Sequence, residues 1–555
     1  MRRQNDLILS RTDSLENGRY PGFGYKDEVF DTFRKQRDVA VTLRDGTKMY
    51  VDLYSPRQAQ ATPALVAWSP YGKHGLKSLA MMPGADVDAG WVSKHVIWEG
   101  PDPEYWCPRG YTIVSPDPRG AWSSEGTLTF FSKQEAEDGH DLIDWIAQQP
   151  WSNGKVGMLG VSYLAISQWS IAATRPPSLA AICPWEGVSD LYREAYFHGG
   201  IPEVGFLNWW QPKSRFSLSP AEDVLQMNAA HPLIDWYWDD KTFDLASIEV
   251  PALVVASWGD HGLHTRGTIE GFQLIASKHK WLEVHGRKKW RHFYDPRSVA
   301  RQTAFFDHFL AGRETGIMDW PRMTIDVRES NSALFVRDDE SWPIGATDAT
   351  PLYLDCADGT LNISPPPDES KATYDSETPA RHLGFDFTFG QDTELTGSAK
   401  LALWVSAEFG GEMDLFVALK KLDRDGLEVG FRYFSTFDEG PVALGWLRAS
   451  HRALDADRSL PLRPVHKHKQ RDMLAPGQVV EVQVEIWPSS TLFREGETLR
   501  LIVSGTDIYH FGTGAPELRH DTENKGTHVV WSGGRHQSHL LLPMVRDVAV
   551  RKSAP

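Results

Sequence analysis

Apolar and polar positions in the first half of the chain follow two different periods. Val39–Leu43 and Met49–Tyr54, on either side of Asp45-Gly46, read as the strands of a hairpin. Short apolar runs at Ala64–Trp68, Tyr111–Ser115, Val156–Leu159, Ala180–Pro184, Ala252–Ser257 and Trp281–His285 read as buried strands. Between them, Glu137–Gln148 sets Leu142, Ile143, Trp145 and Ile146 among polar residues, the pattern of an amphipathic helix. Leu164–Ala173 and Ser298–Leu310 read as further helices. Strands alternating with helices imply a mostly parallel sheet covered on both faces.

Gly187–Val250 breaks this rhythm with an irregular, helix-like stretch holding Trp209, Trp210, Trp236, Tyr237 and Trp238. Lying between two strands, it reads as a helical cap over the sheet edge, where a lid can exclude water. From about Trp320 the period changes again. Short alternating strands, among them Lys400–Ser406, Met413–Lys420, Val479–Trp487 and Thr498–Ser504, are punctuated by turns such as Pro476-Gly477 and Glu495-Gly496. That is the pattern of an antiparallel β-sandwich or jelly roll. The expected fold class is therefore α/β, a mostly parallel sheet with an inserted helical cap and a C-terminal all-β jelly-roll (sandwich) domain. The expected boundaries are 1–186 and 251–320 for the α/β part, 187–250 for the cap and 321–555 for the β domain. Ser364–Pro367 and Pro461–Lys469 read as loops.

Composition narrows the function more than the fold. With 58 basic and 74 acidic side chains the net charge is −16, which disfavours nucleic acid and anionic membrane surfaces as partners. The three cysteines, Cys107, Cys183 and Cys356, are odd in number and far apart, so neither a disulfide framework nor a cysteine metal site follows. No apolar run is long enough for a signal-peptide core or a transmembrane helix, and a cytoplasmic location is the simplest expectation. His466 and His468 lack further ligands at a recognisable spacing and read as part of a solvated loop; no metal or cofactor is expected.

The stretch richest in chemistry is Lys155-Val-Gly-Met-Leu-Gly160-Val-Ser162-Tyr-Leu, where a buried strand runs straight into Gly-x-Ser and a helix begins at once. A nucleophile elbow needs that context: a strained strand-to-helix turn projects the Ser Oγ, and free helix N–H groups lie beside it. The usual Gly at the fifth position is Leu164 here, with Ala165 following. In α/β-hydrolases the acid and then the His follow the nucleophile along the chain. The strand Pro251–Ser257 ends in a turn carrying Asp260, the natural acid. Two histidines compete for the base: His285 at the end of the last strand, which position favours, and His292 seven residues later. His261 and His264, flanking the acid, read as structural or pocket-lining.

These residues resemble the cocaine esterase and X-Pro dipeptidyl-peptidase family of serine hydrolases. The likeness rests on Gln149-Pro-Trp151-Ser-Asn-Gly154 leading into Gly160-Val-Ser162-Tyr163, on Asp117-Pro-Arg119-Gly120, on Ser69-Pro-Tyr71-Gly-Lys and on Trp258-Gly-Asp260-His-Gly. Leu395-Thr-Gly397, Asp414-Leu-Phe416-Val and Ile486-Trp-Pro-Ser-Ser extend it to the C-terminal part, so it spans nearly the whole chain. The resemblance implies an α/β-hydrolase fold with an inserted helical cap, and a jelly-roll domain that helps to wall the active site. It also implies an oxyanion hole made by the Tyr71 hydroxyl and the Tyr163 N–H. In cocaine esterases a Gly-Pro-Trp-x-His stretch carries the base; this chain has His285-Gly-Arg-Lys-Lys-Trp290-Arg-His292 instead.

The expected reaction is acyl transfer through Ser162 on a small-molecule ester, with no cofactor. The tryptophans of the cap favour a bulky, partly aromatic substrate. The alternative is an X-Pro dipeptidyl-peptidase, which would hold a peptide's free amine with carboxylates such as Glu186, Asp190, Glu194 or Glu203. A catalytically inactive, ligand-binding protein is the rival from a different class. Oligomeric state stays open, a homo-oligomer included.

Overall fold

The computed structural model describes residues 6–11, 23–58, 61–74, 84–379, 381–512, 516–546 and 552–553. The first five residues of the N-terminal stretch therefore lie outside the described residues.

The α/β part is built on eight strands: β1 (Phe33–Thr42), β2 (Lys48–Pro56), β3 (Thr62–Val66), β4 (Thr112–Asp117), β5 (Ser152–Val161), β6 (Leu179–Trp185), β7 (Ala252–Ser257) and β8 (Lys280–His285). Their order across the sheet is 1-2-4-3-5-6-7-8. β1 and β2 form the antiparallel hairpin, β2 pairs antiparallel with β4, and the rest run parallel. β3, β4 and β7 are buried along their whole length, which is why they read as continuous apolar runs rather than alternating ones. Two more strands, β9 (Met323–Arg328), parallel to β8, and β10 (Leu334–Asp339), antiparallel to β9, extend the edge towards the C-terminal part.

Helices cover the sheet. α1 (Lys133–Ala147) starts on Ser132, whose hydroxyl caps the Glu135 N–H, and buries Leu142, Ile143 and Ile146. α2 (Tyr163–Ala173) is buried on every side, so it shows no amphipathic pattern. The segment between β6 and β7 contributes α3 (Gly205–Ser214), α4 (Val224–Ala230) and α5 (Trp236–Asp240), with short strand pairs between them. After β7 come α6 (Thr265–Leu274), α7 (Lys289–Tyr294) and α8 (Pro296–Phe309).

Beyond β10 the described chain is mostly strand, paired antiparallel with few exceptions. Thr393–Ala407 pairs with Val480–Phe493, His539–Val545 and Thr527–Ser532; Asp414–Leu422 pairs with Thr498–Ser504 and Ala443–Arg448. The inner faces enclose a second core around Leu401, Leu403, Val417, Val484 and Leu501. The first core does not stop at the change of period, however: Phe416, Tyr433, Phe434, Trp446 and Trp487 pack into it. Among the described residues no helix is long and apolar enough to cross a membrane.

Of the five aromatics that mark the insertion, Trp210, Tyr237 and Trp238 are buried, and Trp209 and Trp236 are half-buried. Tyr237 and Trp238 are buried against Tyr192, Tyr196 and Phe197. His466 and His468 lie outside regular strands as expected, but they are not solvated. They are 5% and 3% exposed, because Arg193 donates to the His466 carbonyl and Ile234 N–H to that of His468, drawing the inserted segment over them.

Candidate active site

Ser162 stands at the junction of β5 and α2 with φ 60° and ψ −115°, a backbone conformation that costs a non-glycine residue on the order of 1–3 kcal/mol. Gly160 makes the turn possible. With φ 154°, it has no room for a Cβ, which would lie 2.5 Å from the Leu164 Cβ and 2.9 Å from the Glu99 carbonyl oxygen. The Leu164 side chain occupies the space that a glycine at position 160 leaves, so the departure at the fifth motif position is accommodated from the first. The Ser162 N–H is held by the carbonyls of Trp185 (3.1 Å) and Glu186 (3.2 Å) at the end of β6.

The imidazole facing Ser162 is that of His264: Oγ and Nε2 are 3.2 Å apart. Its Nδ1 makes a short hydrogen bond to Oδ2 of Asp260, one turn earlier. Asp260 ends the turn after β7, and its carbonyl accepts the N–H groups of Leu263, His264 and Thr265 as α6 begins. The other carboxylate oxygen, Oδ1, accepts the Ser435 hydroxyl at 3.2 Å, a contact from the C-terminal part. Oδ2 also carries Lys289 Nζ at 2.6 Å. Burial opposes the charge on Asp260, but Lys289 and His264 outweigh it and hold the carboxyl well below its usual range. Burial and the Lys289 charge depress His264 to about 4, so its ring is neutral near pH 7 and free to accept a proton.

Two donors converge near Ser162. Tyr71 is buried, its hydroxyl accepts the Trp210 indole N–H at 3.1 Å, and it lies in hydrogen-bonding contact with Ser162. Burial, then the nearby Glu99, push this phenol well above its ordinary value, so it remains a donor throughout the working pH range. Tyr163 is the first residue of α2, where a backbone N–H has no carbonyl one turn back. Its ring packs against Tyr71 and lines the pocket, while its hydroxyl donates to Glu135 at 2.7 Å, which also accepts the Trp68 indole at 2.8 Å.

Ser162 and His264 open on a pocket lined by Phe131, Ile166, Leu191, Tyr196, Phe206 and Trp210, among others, and among the described residues by no carboxylate. Against this geometry stand the comparisons with known proteins. Residues 45–294 match the family model of the X-Pro dipeptidyl-peptidase (S15 family), and residues 315–541 that of the X-Pro dipeptidyl-peptidase C-terminal non-catalytic domain. The crystal structure of a CocE/NonD family hydrolase from Staphylococcus aureus is 38% identical, with a TM-score of 0.91 over 97% of this chain and 99% of that one. The chain belongs to the cocaine esterase and X-Pro dipeptidyl-peptidase family of serine hydrolases. Two further members are more distant. The cocaine esterase of Rhodococcus sp. (strain MB1 Bresler) is 26% identical over 92% of this chain and 98% of its own length. A putative Xaa-Pro dipeptidyl-peptidase of Streptomyces avermitilis is 22% identical over 88% and 81%.

Within this family fold, the residues read from the sequence separate into those the structure brings together and those it does not. Ser162, Asp260 and Tyr71 meet in one site, with Tyr163 beginning the adjoining helix. His285 and His292 do not join them, and the expectation that one of them pairs with Ser162 is corrected. His285 does end β8, but its Nε2 meets Glu186 at 3.2 Å and its Nδ1 accepts the Arg287 N–H at 3.2 Å. His292 Nε2 is bound to Glu283 at 2.7 Å, and the two rings pack 4.0 Å apart beside Trp185. A strand end fixes the position of a backbone; the face taken by the side chain decides what it can reach, and His285 takes the face towards α7. The stretch replacing Gly-Pro-Trp-x-His delivers Lys289 to the acid rather than an imidazole. The signal for His264 was its spacing: Asp260 and His264 are four residues apart across a helix start, which sets their side chains side by side.

The carboxylates considered for binding an amine are committed elsewhere. Glu186 faces His285, Asp190 pairs with Arg193 at 2.5 Å, and Glu194 with Arg266 at 2.6 Å. Glu203 accepts the N–H groups of Phe206, Leu207 and Arg519 at 2.8–3.3 Å.

Proposed function

We propose that the chain is a carboxylic ester hydrolase in which Ser162, His264 and Asp260 form the triad, and the Tyr71 hydroxyl and Tyr163 N–H form the oxyanion hole. His264 Nε2 takes the Ser162 proton as Oγ adds to the ester carbonyl. The two donors stabilise the oxyanion, and His264 returns the proton to the leaving alkoxide. Water then enters, gives a proton to the same nitrogen as it attacks the acyl carbon, and His264 passes that proton to Ser162 Oγ as the acid is released. In support of the domain reading, residues 187–250 supply Trp210 and Phe206 as a cap over the pocket, while residues 321–555, taken as a jelly-roll domain, supply Ser435.

The observation that carries the ester preference is the pocket lining. Among the described residues that line the pocket, every side chain besides Ser162, His264 and the tyrosine hydroxyls is apolar, and no carboxylate is present to pair with a dipeptide's ammonium. Burying that ammonium unpaired would cost far more than the pocket's apolar contacts return. The acyl group that fits is uncharged.

A fluorophosphonate probe should place one adduct on Ser162. Assayed side by side, p-nitrophenyl butyrate should be turned over and Ala-Pro-p-nitroanilide should not; turnover of the anilide alone sinks the ester reading. His264→Ala should lower kcat by roughly 10⁴–10⁶. His285→Ala should change it by less than about tenfold, since its ring lies outside the proton path. The reverse ranking would return the base to His285.

A further inference from the structure

Lys289 is a feature of the site that the triad does not require. Its ammonium is buried at the first position of α7, 2.6 Å from Asp260 Oδ2 and 3.0 Å from His264 Nδ1. Two costs oppose a cation there. Burial disfavours its charge, and the positive end of a helix dipole adds repulsion. A buried ion pair is also poor value for stability, since apolar residues of similar size commonly hold a fold as well or better. The position therefore calls for an explanation outside folding.

The hydrogen bonding supplies one. The short Asp260–His264 contact requires a proton on Nδ1, which leaves Nε2 as the acceptor facing Ser162. Lys289 cannot then donate to Nδ1, and its bond goes to Oδ2. The charged groups around the His264 ring are Asp260 on its own turn and Lys289 on α7, with Glu186 after β6 and Glu99 on the loop before β4 reaching Lys289. The Glu186 carboxyl, pushed well above its usual range chiefly by burial, also lies in hydrogen-bonding contact with Asp260. On the other side the ring meets the apolar pocket, and Lys289 is not among the pocket-lining residues.

We propose that Lys289 is a positioning residue of this site, clamping Asp260 in place against His264 and electrostatically keeping a second proton off the imidazole. The inference rests on the Ser162–His264–Asp260 reading and deepens it. The proton affinity of His264 is already depressed to about 4, first by burial and then by Lys289. The enzyme should thus keep its base competent in mildly acidic solution, where an ordinary imidazole is protonated.

The test is the pH dependence of fluorophosphonate labelling and of kcat/KM for p-nitrophenyl butyrate. Short pulses at each pH, read out at one common pH, exclude inactivation. For the unaltered protein the acid limb should fall below about pH 5; a limb between about pH 6 and 7 overturns the proposal without any variant. In Lys289→Met the limb should move upwards by at least one unit, on the order of one to three from a unit charge some 4 Å away. KM should stay near its starting value, and Lys289→Arg should bring the limb back down. A Lys289→Met protein that still labels stoichiometrically with an unmoved limb also overturns it. Failure of the underlying triad looks different: His264→Ala would then keep its labelling rate.

Discussion

Tyr71→Phe separates the oxyanion hole from the rest of the site. The substitution leaves the ring, which packs edge-on against Tyr163 at 5.9 Å between centroids, and removes only the hydroxyl. Two losses follow, and they read out differently. The Trp210 indole N–H loses its acceptor at 3.1 Å in a buried place, which should cost about 1–3 kcal/mol of stability. The developing oxyanion loses one of two donors, which should lower kcat by roughly 10²–10³, about 2.7–4 kcal/mol in the transition state. The neutral ester carbonyl gains little from that donor before attack, so KM should hardly change. Acylation is followed by stopped-flow release of p-nitrophenol, with active sites counted by fluorophosphonate titration so that a misfolded fraction does not count as slow enzyme. Urea unfolding gives the stability change on the same sample. A fall in kcat of less than about tenfold per titrated site, or one matched by an equal rise in KM, refutes the role of Tyr71.

Other perturbations probe how the site is supported. Arg266, on α6 just after His264, pairs with Glu194 of the inserted segment at 2.6 Å and with Glu485 of the C-terminal part at 2.8 Å. Arg266→Ala leaves buried Glu194 without its cation and should cost about 3–5 kcal/mol in urea unfolding; a loss under about 1 kcal/mol would mean that the Ser189 and Asp190 N–H groups, each 2.8 Å away, hold the carboxyl by themselves. Gly160→Ala should abolish fluorophosphonate labelling or leave the protein insoluble, and Leu164→Gly added to it should restore only part, since the Glu99 carbonyl remains 2.9 Å from the new Cβ. Full recovery in the double variant would locate the whole conflict at Leu164.

The strands, α2 and the elbow were legible because burial dictates them residue by residue. β7 is buried from end to end and apolar up to its last residue, and Ser162 sits where an apolar strand meets a helix with glycine two residues before it. The acid was legible for the same reason: Asp260 closes the turn of a strand recognisable by itself. The base was not. The chain order of nucleophile, acid and histidine pointed beyond Asp260 to the next strand end, and His285 is there, but on the face where Glu186 and His292 wait. His264 was passed over because it follows the acid so closely that it looked like part of the same turn, which it is. His466 and His468 were misjudged because a polar loop gives no sign of what lies over it; Arg193 and Ile234, more than 200 positions away, bury them. The tryptophans of the insertion likewise divide between core and pocket according to tertiary neighbours that local composition does not reveal.

Asp260 and His264 leave the sheet in one turn, and that changes what the rest of the chain has to control. Only one interval must be held for proton transfer, the gap between that turn and the elbow, so the site behaves as a joint between two rigid pieces. The connection from β8 into α7 is released from setting reach. What it carries is charge, through Lys289. On the proposed reading, the turn after β7 sets the approach of His264 to Ser162, while Lys289 steadies Asp260 and brings a charge from after β8, so substitutions there should move the working pH of the enzyme.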